Sequence, residues 1–127
     1  MSTHDSVVAD SCCDFTGCYE ISQLPAMRDL ERDVLGCDYG GTSWTTRSQA
    51  DHIAKSLALG PGKHLLEVGS GSGWPGIFLG SETGCDVTLI DIPLNALKLA
   101  AERAAEDKLK DRVQVIAASG TALPFEG

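Results

Sequence analysis

The stretch LLEVGSGSGWPG, residues 65–76, decides the fold, and it satisfies two glycine-loop patterns at once. Counted from Gly71, GSGWPG is the G-x-G-x-x-G of a dinucleotide-binding turn, as in NAD(P)- or FAD-binding modules. Counted from Glu67, EVGSGSG is an acidic residue followed by three alternating glycines, which points to a different nucleotide ligand. The neighbouring sequence has to choose between the two registers.

The flanks alternate strand and helix. HLLEVG (64–69) is short and mostly apolar, as strands buried on both faces of a parallel sheet are. The glycines lead into a short helix beginning near Pro75, whose missing N–H costs nothing there. Gly84 punctuates, and DVTLIDI (86–92) is a second strand. Pro93 opens a helix with Leu94, Leu97, Ala101, Ala104 and Ala105 on one stripe, and RVQVIAAS (112–119) is a third strand. With right-handed crossovers this β-α-β-α-β order gives an α/β fold, a Rossmann-like parallel sheet in strand order 3-2-1.

N-terminal helices precede it. Residues 1 to about 20 are polar and aperiodic, and flexibility is expected there. Met27, Leu30 and Val34 recur at helical spacing between Pro25 and Leu35, with Gly36 as a stop. DYGGTSWTT (38–46) is a loop. Thr46 and Gln49 then form a capping box for a helix whose stripe is Ala50, Ile53, Ala54, Leu57 and Ala58, ended by Gly60 and Pro61. The expected division is residues 1–45, a flexible segment with a helix and a lid loop, and 46–127, an α/β half-domain.

Composition excludes several function classes. Ten Lys and Arg against eighteen Asp and Glu give a net charge of -8, which opposes binding to nucleic acid through phosphate neutralisation. The basic residues between Lys98 and Arg112 are interleaved with acids, the pattern of a solvated helix face. No apolar stretch reaches membrane-spanning length. Five cysteines, an odd count without a C-x-x-C pair, point to free thiols in a reducing, cytoplasmic setting. CCDFTGC (12–18) has no zinc-ligand spacing, so no metal site is assigned.

Three features settle the register. The first strand ends at Val68, so Gly69 opens the loop and a motif starting at Gly71 begins two residues late. Glu67 is an ionisable group in an apolar strand end, costly to bury unless something pairs with it, and a ligand's ammonium group would do so. About sixty residues of preamble are also an awkward start for a simple dinucleotide domain. Gly69, Gly71, Gly73 and Gly76 are more glycines than a tight turn alone requires. Asp91, 22 residues after Gly69, stands where a carboxylate can accept from both ribose hydroxyls, or cap the following helix.

LLEVGSGSGWPGIFLG, VTLIDIP and VQVIAASGTALPF resemble, in order and spacing, the first three motifs of class I S-adenosylmethionine-dependent methyltransferases. GPGKHLLEVGSGSG is especially similar to their small-molecule branch. The resemblance implies S-adenosyl-L-methionine as cofactor, with Gly69, Ser70, Gly71 and Gly73 near its methionine part and Glu67 supporting that end. It implies Asp91 on the ribose and Ile92 against the adenine. Ser119, with Gly120 and Thr121 after it, stands where the family often has an aspartate near the adenine amino group; a hydroxyl there makes an uncharged, weaker contact. By the same resemblance the loop 38–46 is part of a lid, with Tyr39 or Trp44 near the sulfonium, since aromatic faces attract cations; packing of the preamble against the sheet is the other role open to both.

A complete domain of this family continues past LPF into a fourth strand beside strand 1, and that half carries the acceptor pocket and any base. The chain ends at Gly127, so a truncated domain is expected and neither the small-molecule methyl acceptor nor a catalytic residue is assigned. Strand 64–69 would be a bare sheet edge, and a homodimer contact or the N-terminal segment is expected to cover it.

Overall fold

A computed structural model describes residues 16–36, 39 and 45–125. The elements run α1 (Thr16–Ser22), α2 (Pro25–Leu35), α3 (Arg47–Ser56), β1 (His64–Val68), α4 (Gly76–Thr83), β2 (Asp86–Asp91), α5 (Leu94–Glu106) and β3 (Val113–Ala117). The three strands form one parallel sheet in the order β1-β2-β3, the order expected from right-handed crossovers. In register, Glu67 lies beside Leu89 and Asp91 beside Ala117.

Capping residues set the helix boundaries. The Thr46 hydroxyl accepts from the Gln49 N–H at 3.2 Å while the Gln49 side chain accepts from the Thr46 N–H at 2.8 Å, the reciprocal box that starts α3. Gly36 ends α2 in the left-handed conformation, φ 78°, its N–H donating to Arg32 O. Pro75 and Pro93 stand immediately before α4 and α5.

β2 is buried on both faces, with Val87 and Leu89 on one and Thr88 and Ile90 on the other, and the main cluster lies on the first. Ile77, Cys85, Val87, Leu89, Ala100, Ala104 and Leu109 are buried together, joining α4, β2 and α5. Ala50, Trp74 and Leu79 form a second cluster that docks α3 on the other flank of α4. Each full-sized aliphatic side chain among them contributes about 1.5–3 kcal/mol. Arg112 closes this layer from below: its Nη1 donates to Gly80 O and Cys85 O, each at 3.1 Å.

Several expectations need correction. Residues 16–22 form helix α1, and Tyr19 and Ser22 within it are buried; an aperiodic sequence hid a segment ordered by tertiary contact. β1 is not buried on both faces: Leu66 is 41% and Val68 51% exposed, because β1 is an edge of this three-stranded sheet. Met27, Leu30 and Val34 face solvent, and only Leu35 of α2 is buried. In α5 the buried side is Ala96, Leu97, Ala100 and Ala104, while Leu94 is 71% exposed and Ala101 and Ala105 point outward. The true stripe is rotated toward small residues because helix and sheet approach closely. In α3 Ala50 is buried, but Leu57 is exposed beyond the helix end. Nor is Arg112 part of a solvated face, since it is spent on the two carbonyls.

Candidate functional site

The parallel sheet brings the C-terminal ends of β1 and β2 together, and the loop between β1 and α4 turns across them. Gly69 and Ser70 donate their N–H groups to Ile90 O, at 2.8 and 3.1 Å. The chain then bends, with Gly69, Gly71 and Gly73 at φ of 74°, 56° and 101°. These left-handed conformations carry a steric cost for residues with a Cβ. The loop closes as Gly73 N–H donates to Ser70 O at 3.0 Å and Ile77 N–H to Gly73 O at 2.8 Å. β1 ends at Val68 and Gly69 opens the loop, so the glycines fall in the register counted from Glu67.

Asp91 anchors the turn from β2. Its Oδ2 accepts from the Gly71 N–H at 2.7 Å and its Oδ1 from the Ile92 N–H at 2.8 Å. Each carboxylate oxygen keeps a further acceptor site, so Asp91 can hold the loop and still receive ligand hydroxyls. Beside it Ile92 and Leu94 present exposed apolar surface, the kind on which a planar base can lie.

Glu67 points from β1 into the underside of the loop, against Gly76. A Cβ at Gly76 would overlap Glu67 Oε2, so only glycine leaves space for this carboxyl. Burial pushes Glu67 up from 4.5 to about 7; the Gly76 amide favours the charged form, and the charge of Asp91 opposes it. The Gly76 amide does not complete the carboxyl's hydrogen bonding: Oε2 is buried without a partner, and so are the Ser70 and Ser72 hydroxyls. Three orphaned polar atoms around one loop are unusual, because buried polar groups nearly always find partners. They fit a site shaped for a polar ligand.

The remaining expected residues are distributed less closely. Ser119 is partly buried at the end of β3, and its hydroxyl pairs with Thr121 Oγ1 at 2.7 Å and accepts from the Thr121 N–H at 3.2 Å. Gly120 lies against Val68, where a Cβ would approach Val68 Cγ1 to 2.8 Å. This small turn brings the segment after β3 back across the sheet toward β1. The Tyr39 ring is 5.0 Å from the Trp74 ring, and the Arg103 guanidinium sits over it at 4.1 Å, so its faces are used in packing. Trp44, and the cysteines at 12, 13 and 37, lie outside the described residues. Two residues that the structure places at the loop were not singled out from the sequence. Ser72 alternates with the glycines, and Tyr19, 5% exposed, reaches the loop from α1. Tyr19 belongs to a polar aperiodic stretch that offers no periodic signal.

Comparison with known proteins agrees with this geometry. The family model described as "Methyltransferase domain" matches residues 65–127. A sterol methyltransferase-like protein of Botryococcus braunii is 33% identical over 88 residues, covering 65% of this chain and 22% of the relative. A probable fatty acid methyltransferase of Pseudomonas putida is 30% identical over 115 residues, covering 86% and 29%. The crystal structure of an S-adenosylmethionine-dependent methyltransferase from Geobacter sulfurreducens, in complex with S-adenosyl-L-homocysteine, superposes with a TM-score of 0.53 at 32% identity, covering 57% of this chain and 29% of that one. The chain thus spans between 22% and 29% of the length of the relatives it matches. Through residues 65–127 it belongs to the class I S-adenosylmethionine-dependent methyltransferases, of whose domain it carries a part.

Proposed function

We propose that this chain is the cofactor-binding portion of an S-adenosylmethionine-dependent methyltransferase that acts on a small molecule. The observation that carries the reading is the cluster of unpartnered buried polar atoms, Glu67 Oε2, Ser70 Oγ and Ser72 Oγ, around a glycine turn anchored by Asp91. The loop holds the amino-acid end of the cofactor: Glu67 faces its positive charge, and the serine hydroxyls and loop amides its polar atoms. Asp91 accepts from the ribose hydroxyls. Ile92 lies against the adenine, and the Ser119–Thr121 turn borders its amino group. The bound cofactor supplies a methyl group already activated by its sulfonium. What the protein adds is alignment and exclusion of water.

Relatives named for sterol and fatty acid substrates support a small, largely apolar acceptor. Residues 46–127 form the cofactor-binding half-domain, and the segment before them a cover. The buried free thiol of Cys85 fits a reducing, cytoplasmic compartment. The exposed side chains of Leu66 and Val68 on β1 support self-association along residues 64–69, which light scattering tests. For the central reading, thermal unfolding is followed with and without S-adenosylhomocysteine. Ligand at about a hundred times its Kd stabilises the fold by roughly 2.7 kcal/mol. An unchanged midpoint at saturating concentrations rejects the reading.

A further inference from the structure

Trp74 follows Gly73 at the exit of the glycine turn, and it is 3% exposed. Its indole Nε1 donates to Thr45 O at 2.7 Å, a carbonyl 29 positions earlier in the chain and next to the Thr46 cap of α3. The Phe78 ring, 5.1 Å away and tilted by 43°, packs against the same indole. Packing alone asks for an apolar ring here; an indole adds one N–H that has to be satisfied and that points in a single direction. The turn therefore has anchors on two different elements. At its start Gly69 and Ser70 donate to Ile90 O and Gly71 to Asp91 Oδ2, all on β2. At its end Trp74 is tied to the start of α3. Between these anchors lie Ser72 and Gly73. Gly73, at φ 101°, bonds within the turn and α4, to Ser70 O and the Ile77 N–H, and glycine has no strong backbone preference of its own. The direction of the Ser72 side chain, whose hydroxyl is buried without a partner, is thus set by what holds the turn on either side.

We infer that Trp74 is a positioning residue for the cofactor: its N–H bond to Thr45 O fixes the exit of the turn on α3 and so holds the Ser72 hydroxyl toward the ligand. The inference rests on the cofactor reading above and deepens it, since it places part of the binding energy in a buried residue that acts through Ser72. The start of α3 thereby belongs to the framework of the site. A shift of Thr45 relative to β2 moves Ser72 and leaves Asp91, which is carried by β2 itself, where it is.

The test is a double-mutant cycle read by calorimetric titration with S-adenosylhomocysteine. Ser72→Ala removes the hydroxyl; Trp74→Phe keeps an aromatic ring and removes the N–H. Each single substitution weakens binding by roughly three- to tenfold, the scale of one hydrogen bond. Because Trp74 acts through Ser72, the double variant binds within about twofold of Ser72→Ala. Losses that multiply give Trp74 a purely structural role and overturn the inference, as does wild-type affinity in either single variant. Wild-type protein that does not bind S-adenosylhomocysteine overturns the cofactor reading itself, and the inference with it. Far-ultraviolet circular dichroism verifies that each variant keeps the fold. Should Trp74→Phe unfold, Trp74→benzothienylalanine, which keeps the shape of the indole with sulfur in place of the N–H, takes its place in the cycle with the same expected and contrary results.

Discussion

Replacing Glu67 by glutamine makes the protein more stable at neutral pH, although it removes a charged group from the candidate site. In the folded chain the Glu67 carboxyl is raised to about 7, first by burial and then by the charge of Asp91, against 4.5 when exposed. Between those values the folded state keeps a proton that the unfolded state releases. Stability therefore falls as pH rises through this window, by about 1.4 kcal/mol per pH unit, and above it the loss totals about 3 kcal/mol. Below pH 4.5 both states are protonated and the residue costs nothing. Glutamine has nearly the same shape and no proton to lose. Urea unfolding followed by circular dichroism at pH 4.5, 6 and 8 measures the difference, and the comparison cancels the other carboxylates. Glu67→Gln and wild type agree within about 0.5 kcal/mol at pH 4.5 and diverge by about 3 kcal/mol at pH 8, the variant being the more stable. A variant less stable than wild type at pH 8, or a difference independent of pH, refutes the view that this carboxyl is held at a cost to the fold.

A cationic ligand end facing Glu67 favours its charged form, so affinity for S-adenosylmethionine rises with pH up to about 7 and then levels off; calorimetry in buffers of different ionisation enthalpy detects the proton released below that point. Arg112→Met leaves Gly80 O and Cys85 O without their charged donor and lowers stability by roughly 1–3 kcal/mol, read from the urea midpoint. Gly73→Ala forces a Cβ onto a residue with φ 101° and into the Ile77 side chain. It costs roughly 1–3 kcal/mol or more, and thermal unfolding should show a lower midpoint with retained secondary structure.

The part of the fold most legible in sequence was governed by local rules. The capping box at Thr46, the left-handed stop at Gly36 and the prolines before α4 and α5 each have a short-range cause, and the structure follows them. The order β1-β2-β3 followed from crossover handedness. Where the reading failed, tertiary contact decided. α1 has no periodic pattern and is fixed by Tyr19 against the loop. The buried stripe of α5 runs through Ala96, Ala100 and Ala104 because small side chains let the helix approach the sheet, and a count of large apolar residues points elsewhere. The placement of Glu67, the glycines and Asp91 around one turn was legible because strand ends and positive φ restrict residue choice. Ser72 and Tyr19 were not, since a hydroxyl's importance depends on which atoms surround it in space.

The central claim is that the turn from Gly69 to Gly73, with Asp91 and Glu67, is a site for S-adenosylmethionine. Isothermal titration of the protein with S-adenosylhomocysteine and, separately, with NAD tests it most directly. The account predicts saturable 1:1 binding of S-adenosylhomocysteine, weakened by roughly 1–3 kcal/mol in Asp91→Ala, and no binding of NAD. Binding of NAD with no response to S-adenosylhomocysteine would contradict it.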